Sequence, residues 1–232
     1  MKIYAISDLH LSTSCDKPMD VFGGKWEGYT EKIIQNWKSK ITNEDLVLIA
    51  GDISWAMKLD EVKGDLDWID KLPGTKIIIK GNHEYWWKSI SSVREILPNS
   101  IIAIQNDAVK IGDYIICGTR GWTIPEENKD FSAEDEKIYK REIERLKLTL
   151  RASKVLQTNN EKILCMMHFP PFDGNGNASE FIKLFEEFGV SAVVFGHIHG
   201  YTNCKLKQIK NDITYYFTSC DHINNDPVAI EV

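Results

Sequence analysis

The sequence predicts an α/β fold, and three observations predict it. Through the first hundred residues, short apolar runs alternate with segments of helical spacing, a βαβαβ order that favours a parallel sheet with right-handed crossovers. From residue 100 the pattern shortens to three strand-like runs separated by Asn106-Asp107 and Gly112-Asp113, an antiparallel excursion. Five of the six histidines (His10, His83, His168, His197 and His199) follow directly on an apolar run or lie one or two residues past one. In open α/β sheets, ligand sites gather where the carboxyl ends of strands open into loops. Five such strand ends therefore imply one shared site.

The elements follow in order. Residues 2–7 form the first strand, and Asp8-Leu9-His10 stands at its end. In extended chain, residues two apart point to the same side, so Asp8 and His10 can share one ion. Residues 12–28 form a long polar loop with Phe22 and Trp26; loops of this length are often lids, and this one starts beside Asp8 and His10. Residues 30–41 carry Ile33, Ile34, Trp37 and Ile41 at helical spacing. The run 46–50 is a buried strand ending in Gly51-Asp52, and 59–72 reads as a helix closed by Pro73-Gly74.

Residues 76–80 form the third strand, leading into Gly81-Asn82-His83-Glu84. A helix is expected over 85–97, with Trp86 and Trp87 as packing rather than substrate stacking. The runs 101–104, 108–111 and 114–117 are expected to pair as an antiparallel meander. Arg120, in the loop 119–130, is a candidate phosphate contact, because a guanidinium pairs bidentately with phosphate oxygens; the competing reading is a structural ion pair. Residues 132–157 read as a long charged surface helix with the stripe Tyr139, Ile143, Leu146 and Leu150, and Ser132 with Asp135 resembles a capping box.

Residues 162–167 form a strand with His168-Phe169-Pro170-Pro171 at its end. The glycine-rich stretch 174–178 and a helix over 179–188 follow. The strand 191–195 then leads into Gly196-His197-Ile198-His199-Gly200. The chain closes with strands at 213–218 and 228–232. His222 is expected to be an ordinary core or surface histidine. There is no linker or repeat, so one domain is expected over residues 1–232.

Composition narrows the function. Apolar residues at 43% and charged residues at 27% are ordinary for a globular protein. A net charge of -6 argues against a nucleic-acid partner. No apolar run approaches the roughly 20 residues needed to span a bilayer, and the N-terminus enters a strand at once without signal-peptide architecture. The five cysteines (15, 117, 165, 204 and 220) show no CxxC spacing and read as reduced thiols of a cytoplasmic protein.

Taken together and in this order, Asp8-Leu9-His10, Gly51-Asp52, Gly81-Asn82-His83-Glu84, the strand-end His168 and Gly196-His197-Ile198-His199 closely resemble the signature of the calcineurin-like metallophosphoesterase superfamily. That family carries D-x-H, G-D, G-N-H-[D/E], H and G-H-x-H, and the resemblance spans residues 8 to 199. It implies a four-layer αββα fold, two mixed β-sheets packed as a sandwich and flanked by helices. It also implies two metal ions, one held by Asp8, His10, Asp52 and His199, the other by Asp52, Asn82, His168 and His197. Asp52 would bridge them, a metal-bridging hydroxide would be the nucleophile, and His83 would act on the substrate as general acid or charge-stabilising donor. Carboxylate, imidazole and one amide oxygen, without thiolate, suit Mn, Fe or Zn. Two such ions clamp the attacking and leaving oxygens of an in-line displacement.

The sequence departs from the pattern in one place. Many phosphoprotein-phosphatase members carry Asp three residues after the G-D aspartate, and Trp55 stands there in this chain. The resemblance therefore implies a dinuclear metal-dependent phosphoesterase, in the first instance a phosphomonoesterase, but not a close relative of the protein Ser/Thr phosphatases. A phosphodiesterase of nucleotide or nuclease type is the alternative, and the lack of a basic cluster weakens its nuclease form. A binding protein that has lost catalysis on the same fold is a third reading, set against by the presence of all seven expected ligands and His83.

Overall fold

Leu46-Val47-Leu48-Ile49 is apolar at every position and all four residues are buried, as expected of a strand covered on both faces. In the computed structural model, which describes residues 1–126, 130–173, 176, 179–200 and 203–232, this run is β2 (Leu46–Ile49). It pairs in parallel with β1 (Ile3–Ile6) on one side and β3 (Thr75–Ile78) on the other. Beyond β3 lies β4 (Ile101–Ala103), also parallel. The short β11 (Val228–Ala229) closes the opposite edge antiparallel to β1.

A second, six-stranded sheet has the order β5-β6-β7-β8-β10-β9. Its centre, β6 (Tyr114–Thr119), β7 (Lys162–Met167), β8 (Val190–Phe195) and β10 (Ile213–Phe217), is parallel. Its edges, β5 (Ala108–Ile111) and β9 (Lys207–Lys210), are antiparallel to their neighbours. Both sheets are therefore mixed. They face each other through Ala5, Leu48 and Ile77 of the first and Ile116, Leu164, Met166, Val194 and Tyr216 of the second. Each fully buried Leu, Ile, Val or Met among them is worth about 1.5–3 kcal/mol, so the inter-sheet layer alone contributes a large share of the cohesion.

Helices complete the four layers. The first sheet is covered by α1 (Tyr29–Lys40), α2 (Lys63–Asp70) and α3 (Ile90–Ile96) through Ile33, Trp37, Leu66, Ile69 and Val93. The second is covered by α4 (Ala133–Leu156) and α5 (Glu180–Glu187) through Leu146, Leu150, Phe181 and Phe185. Ser132 caps α4 as expected: its hydroxyl accepts the Asp135 N–H at 3.0 Å and donates to the Asp135 carboxylate at 2.6 Å. Among the described residues no helix is long and apolar enough to cross a membrane.

The expected three-strand meander is not what forms. Run 101–104 joins the first sheet and only β5 and β6 make a hairpin, so the chain changes sheets around Asn106-Asp107. Arg94 explains the separation: its guanidinium donates to Ala103 O at 2.8 Å and pairs with Asp107 at 2.5 Å, tying this corner to α3. The expected helix 85–97 starts only at Ile90, because Trp86 and Trp87 turn into the core, 0% and 1% exposed. Strand β9 was not expected; Lys-Gln-Ile-Lys has a single apolar residue, and its pairing to β10 supplies what its side chains do not.

Candidate metal centre

The sheets place the ligand candidates at one edge. Asp8 and His10 follow β1, Asp52 follows β2, Asn82 and His83 follow β3, His168 follows β7, and His197 and His199 follow β8. At four of these positions the chain turns through the left-handed region without glycine: Asp8 (φ 60°), His10 (φ 44°), Asp52 (φ 51°) and His197 (φ 75°). Such conformations cost of order 1–3 kcal/mol each and persist where the surroundings over-determine them. Here they turn the strand ends so that the side chains converge. The neighbouring glycines make the approach possible. A Cβ on Gly81 would collide with the Asp52 carboxylate, and one on Gly196 with Ser7 and Asp8.

Hydrogen bonds fix each group. The buried Glu84 carboxylate accepts the N–H of Asp52 at 2.9 Å, of Ile53 at 2.6 Å and of Gly81, joining the Gly51-Asp52 and Gly81-Asn82 loops. Burial and the nearby Asp52 charge still push its pKa up to about 7. Asp8 Oδ2 accepts from Ser7 at 2.5 Å, from Ser219 at 2.7 Å and from the His197 N–H at 3.0 Å. Its Oδ1 is left facing His199 Nε2 at 3.5 Å. His168 Nδ1 lies 3.0 Å from Ala50 O, which fixes the tautomer with Nδ1–H donating and Nε2 turned to the centre. His199 Nδ1 is held at 3.1 Å by Asp221 Oδ1 in the same way.

The result is two trios, Asp8 with His10 and His199, and Asp52 with His168 and His197, each with ligand atoms within 4.8 Å of one another. Asn82 Oδ1 lies 2.7 Å from His168 Nε2 and completes the second. Asp52 Oδ2 stands 3.3 Å from His168 Nε2 and 3.8 Å from His10 Nε2, between the trios.

In each trio two imidazole nitrogens confront one another, His10 Nε2 with His199 Nε2 at 3.2 Å and His168 Nε2 with His197 Nδ1 at 3.2 Å. Two lone pairs at that distance need a shared positive charge. The titration pattern shows the same demand. Burial opposes charge throughout, yet Asp221 and Asp8 push His199 up to about 10, and Asp52 and Asp8 push His168 up to about 9. Their partners His10 and His197 are driven by burial down to about 4. One ring of each facing pair thus favours the charged form where a cation would satisfy both. Asp8 and Asp52, although burial opposes it, are held below the usual carboxylate range by these histidines. The donor set, carboxylate, imidazole and one amide oxygen, fits two metal ions.

His83 stands apart from the trios. Its backbone N–H donates to Asp52 Oδ1 at 2.9 Å, and its Nε2 is 3.9 Å from Asp52 Oδ2. Trp55 packs on it at 4.4 Å and stacks on His10 at 4.8 Å. Among the described residues no carboxylate orients its buried Nδ1, which has no hydrogen-bond partner there, and burial lowers its pKa.

Two cavities border the centre. One, of about 920 Å³, is lined by His10, His83, His199, Trp26, Trp55 and Phe22 among others. The expected lid segment 12–28 thus contributes to this wall, and Thr13 pins its start to the buried Asp65 with bonds of 2.9 and 2.6 Å. The other, of about 760 Å³, adjoins His197 through Phe169, Trp122 and Phe172. Of the glycine-rich stretch 174–178 all but Gly176, and of the loop 119–130 residues 127–129, lie outside the described residues.

Arg120 lines neither cavity: its guanidinium faces Glu142 of α4 at 3.3 Å and lies 4.6 Å from the Trp122 ring. Glu142 thus draws the side chain toward α4, away from the two cavities at the centre, in the structural ion pair that was the competing reading. His222 packs on Phe217 at 4.9 Å and lines the larger cavity. The sequence reading missed Ser219 and Asp221, which hold Asp8 and His199. The available signal was their place just past β10, the strand-end position of every other group at the site.

An αββα sandwich with two carboxylate–histidine trios at one edge defines a metallophosphoesterase frame. Residues 1–201 match the model of the calcineurin-like phosphoesterase family, and the chain belongs to that family. No curated protein sequence matches it. Similar solved structures include the phosphopantetheinyl hydrolase of Mycobacterium tuberculosis, with a TM-score of 0.60 at 14% identity over 99% of this chain and 95% of that one. The protein TT1561 of Thermus thermophilus gives a TM-score of 0.60 at 12% identity over 99% of this chain and 97% of that one. The protein AQ665 of Aquifex aeolicus, described as of unknown function, gives 0.52 at 14% identity over 98% and 95%. At these identities the likeness is one of fold.

Proposed function

We propose that the protein is a dinuclear metal-dependent phosphoesterase acting on small phosphomonoesters. One observation carries this reading: two trios of ligating side chains converge with Asp52 between them. Asp8, His10, Asp52 and His199 would hold one ion, and Asp52, Asn82, His168 and His197 the other. Bound there, two cations supply Lewis-acid polarisation of phosphoryl oxygens and water acidified to near-neutral pKa.

The chain's own residues do the rest. Burial disfavours the charged form of His83. With its Nδ1 buried and without a partner, the tautomer that leaves Nδ1 as a bare lone pair puts the proton on Nε2. His83 then serves as a hydrogen-bond donor to charge developing on a substrate oxygen rather than as a strong acid. Trp26, Trp55 and Phe22 give one side of the centre an aromatic wall. The net charge of -6 disfavours a long polyanion and so a nucleic-acid substrate. Cys15, Cys117, Cys165 and Cys220 form no disulfide, which accords with a reducing, cytoplasmic setting.

A second reading, a phosphodiesterase, is favoured by one feature: the centre has a cavity on either side, and a diester has two arms to place. The mycobacterial protein of similar fold carries the name phosphopantetheinyl hydrolase. Turnover of p-nitrophenyl phosphate and of its bis ester, with Mn, Fe and Zn in turn, tests both. Preference for the monoester is expected; preference for the bis ester selects the second reading, and no turnover of either ester with any metal overturns the phosphoesterase reading.

A further inference from the structure

Away from both cavities at the centre lies a third, of about 190 Å³, whose walls include Lys80, Lys88, Arg120, Arg141 and Arg145. In a chain of net charge -6, five cations on one small cavity face a single carboxylate, Glu142. That carboxylate is fully engaged. Its Oε1 faces Arg145 at 2.7 Å, Arg120 at 3.3 Å and Arg141 at 3.8 Å, and its Oε2 accepts from Thr119 at 2.9 Å. Lys80 donates to Trp87 O at 2.9 Å, a neutral acceptor that leaves its charge unbalanced. The Nε of Arg120 is buried with no acceptor. A buried donor without a partner is costly, and like charges gathered around one cavity repel. An oxyanion in the cavity relieves both.

We propose that this cavity binds a small phosphate-type oxyanion, held by Arg120, Arg145, Arg141, Lys88 and Lys80. Its volume is below the roughly 300 Å³ at which pockets take drug-sized ligands, so the ligand is a phosphate group or a compact polyphosphate, not a nucleotide. Planar guanidinium forks give bidentate recognition of phosphate oxygens. The site touches the candidate metal centre through the backbone on two sides. Lys80 directly precedes Gly81-Asn82, and Arg120 O accepts the N–H of His168 at 3.1 Å and of Phe169 at 2.9 Å.

The test is calorimetric titration with inorganic phosphate in about 0.15 M salt, where exposed charges are largely screened. Because phosphate also meets a metal centre, wild-type protein is compared with Lys88→Gln/Arg141→Gln, a double variant of two exposed side chains outside it. The double variant should lose one phosphate equivalent, or bind it at least about tenfold more weakly, with turnover of p-nitrophenyl phosphate unchanged. Identical uptake by both proteins overturns the proposal. A second measurement needs no substitution: phosphate should slow acylation of Lys88 while leaving the exposed Lys183 unaffected. Equal slowing of both lysines, or of neither, overturns it.

Discussion

His199 Nδ1 lies 3.1 Å from Asp221 Oδ1, while His199 Nε2 faces Asp8 and His10. The carboxylate fixes both the ring's tautomer and its direction, and it sits beyond the 201 residues that match the family model. Outer groups of this kind are worth about 10- to 100-fold in metal affinity or activity. Asp221→Asn is therefore expected to weaken metal binding by that factor while the fold is kept. Metal titration with circular dichroism checks it, and an unchanged affinity would remove Asp221 from the centre.

Asp52 stands between the trios, so its loss reaches both. Asp52→Asn should lower turnover by more than about 100-fold, given the several kcal/mol a metal clamp supplies. Metal content should fall together with the rate. Full metal occupancy at wild-type rate would contradict the shared role.

His83 should separate chemistry from metal binding. Replacing one charge-stabilising donor costs about 10²–10³-fold in rate, and His83→Asn leaves both trios intact. Elemental analysis should find unchanged metal content beside the slowed turnover. Equal loss of metal and activity would place His83 among the ligands instead.

Glu84 is expected to matter through the backbone. In Glu84→Gln one accepting oxygen becomes an NH₂ donor, so either the N–H groups of Gly81 and Asp52 or that of Ile53 lose their acceptor. Leaving such buried groups unpaired costs about 1–3 kcal/mol. Urea denaturation should show that loss of stability; a variant as stable as wild type would argue against the staple.

Acid stability should respond at Glu161. Its hydrogen bonds with Lys110 and the Asn159 N–H hold its pKa down to about 2, against an ordinary 4.5. A depressed acid contributes stability that is complete above pH 4.5 and lost as pH falls through about 2. Urea midpoints of wild type and Glu161→Gln should therefore converge on acidification across that window. A constant difference down to the lower limit would refute the linkage.

Much of the site was legible because Asp8, His10, Asp52, Asn82, His168, His197 and His199 each stand just past a buried apolar run, and such runs mark strand ends. The order of the two sheets was not. Nothing local in Ile101–Ala103 distinguishes a parallel edge from a meander; Arg94 and Asp107 decide it through contacts between separate elements. Arg120 could be read as a phosphate-seeking group but not aimed, because its direction depends on Glu142, 22 residues away. Ser219 and Asp221 lacked a recognisable motif, and their roles exist only once β10 lies beside β8.

The bond from Ser219 to Asp8 spans 211 residues of chain, and Ser7 N–H reaches Thr218 O at 2.9 Å. Ribosomal synthesis runs from the other end. A nascent chain has made its first site residue long before the partner that fixes that residue exists. Closure over such separations is slow, so the first sheet emerges with Asp8 unsecured. An mRNA cut short between codons 199 and 219 would yield a chain with all of the family's motifs and without the hydroxyl of Ser219 that holds its first aspartate.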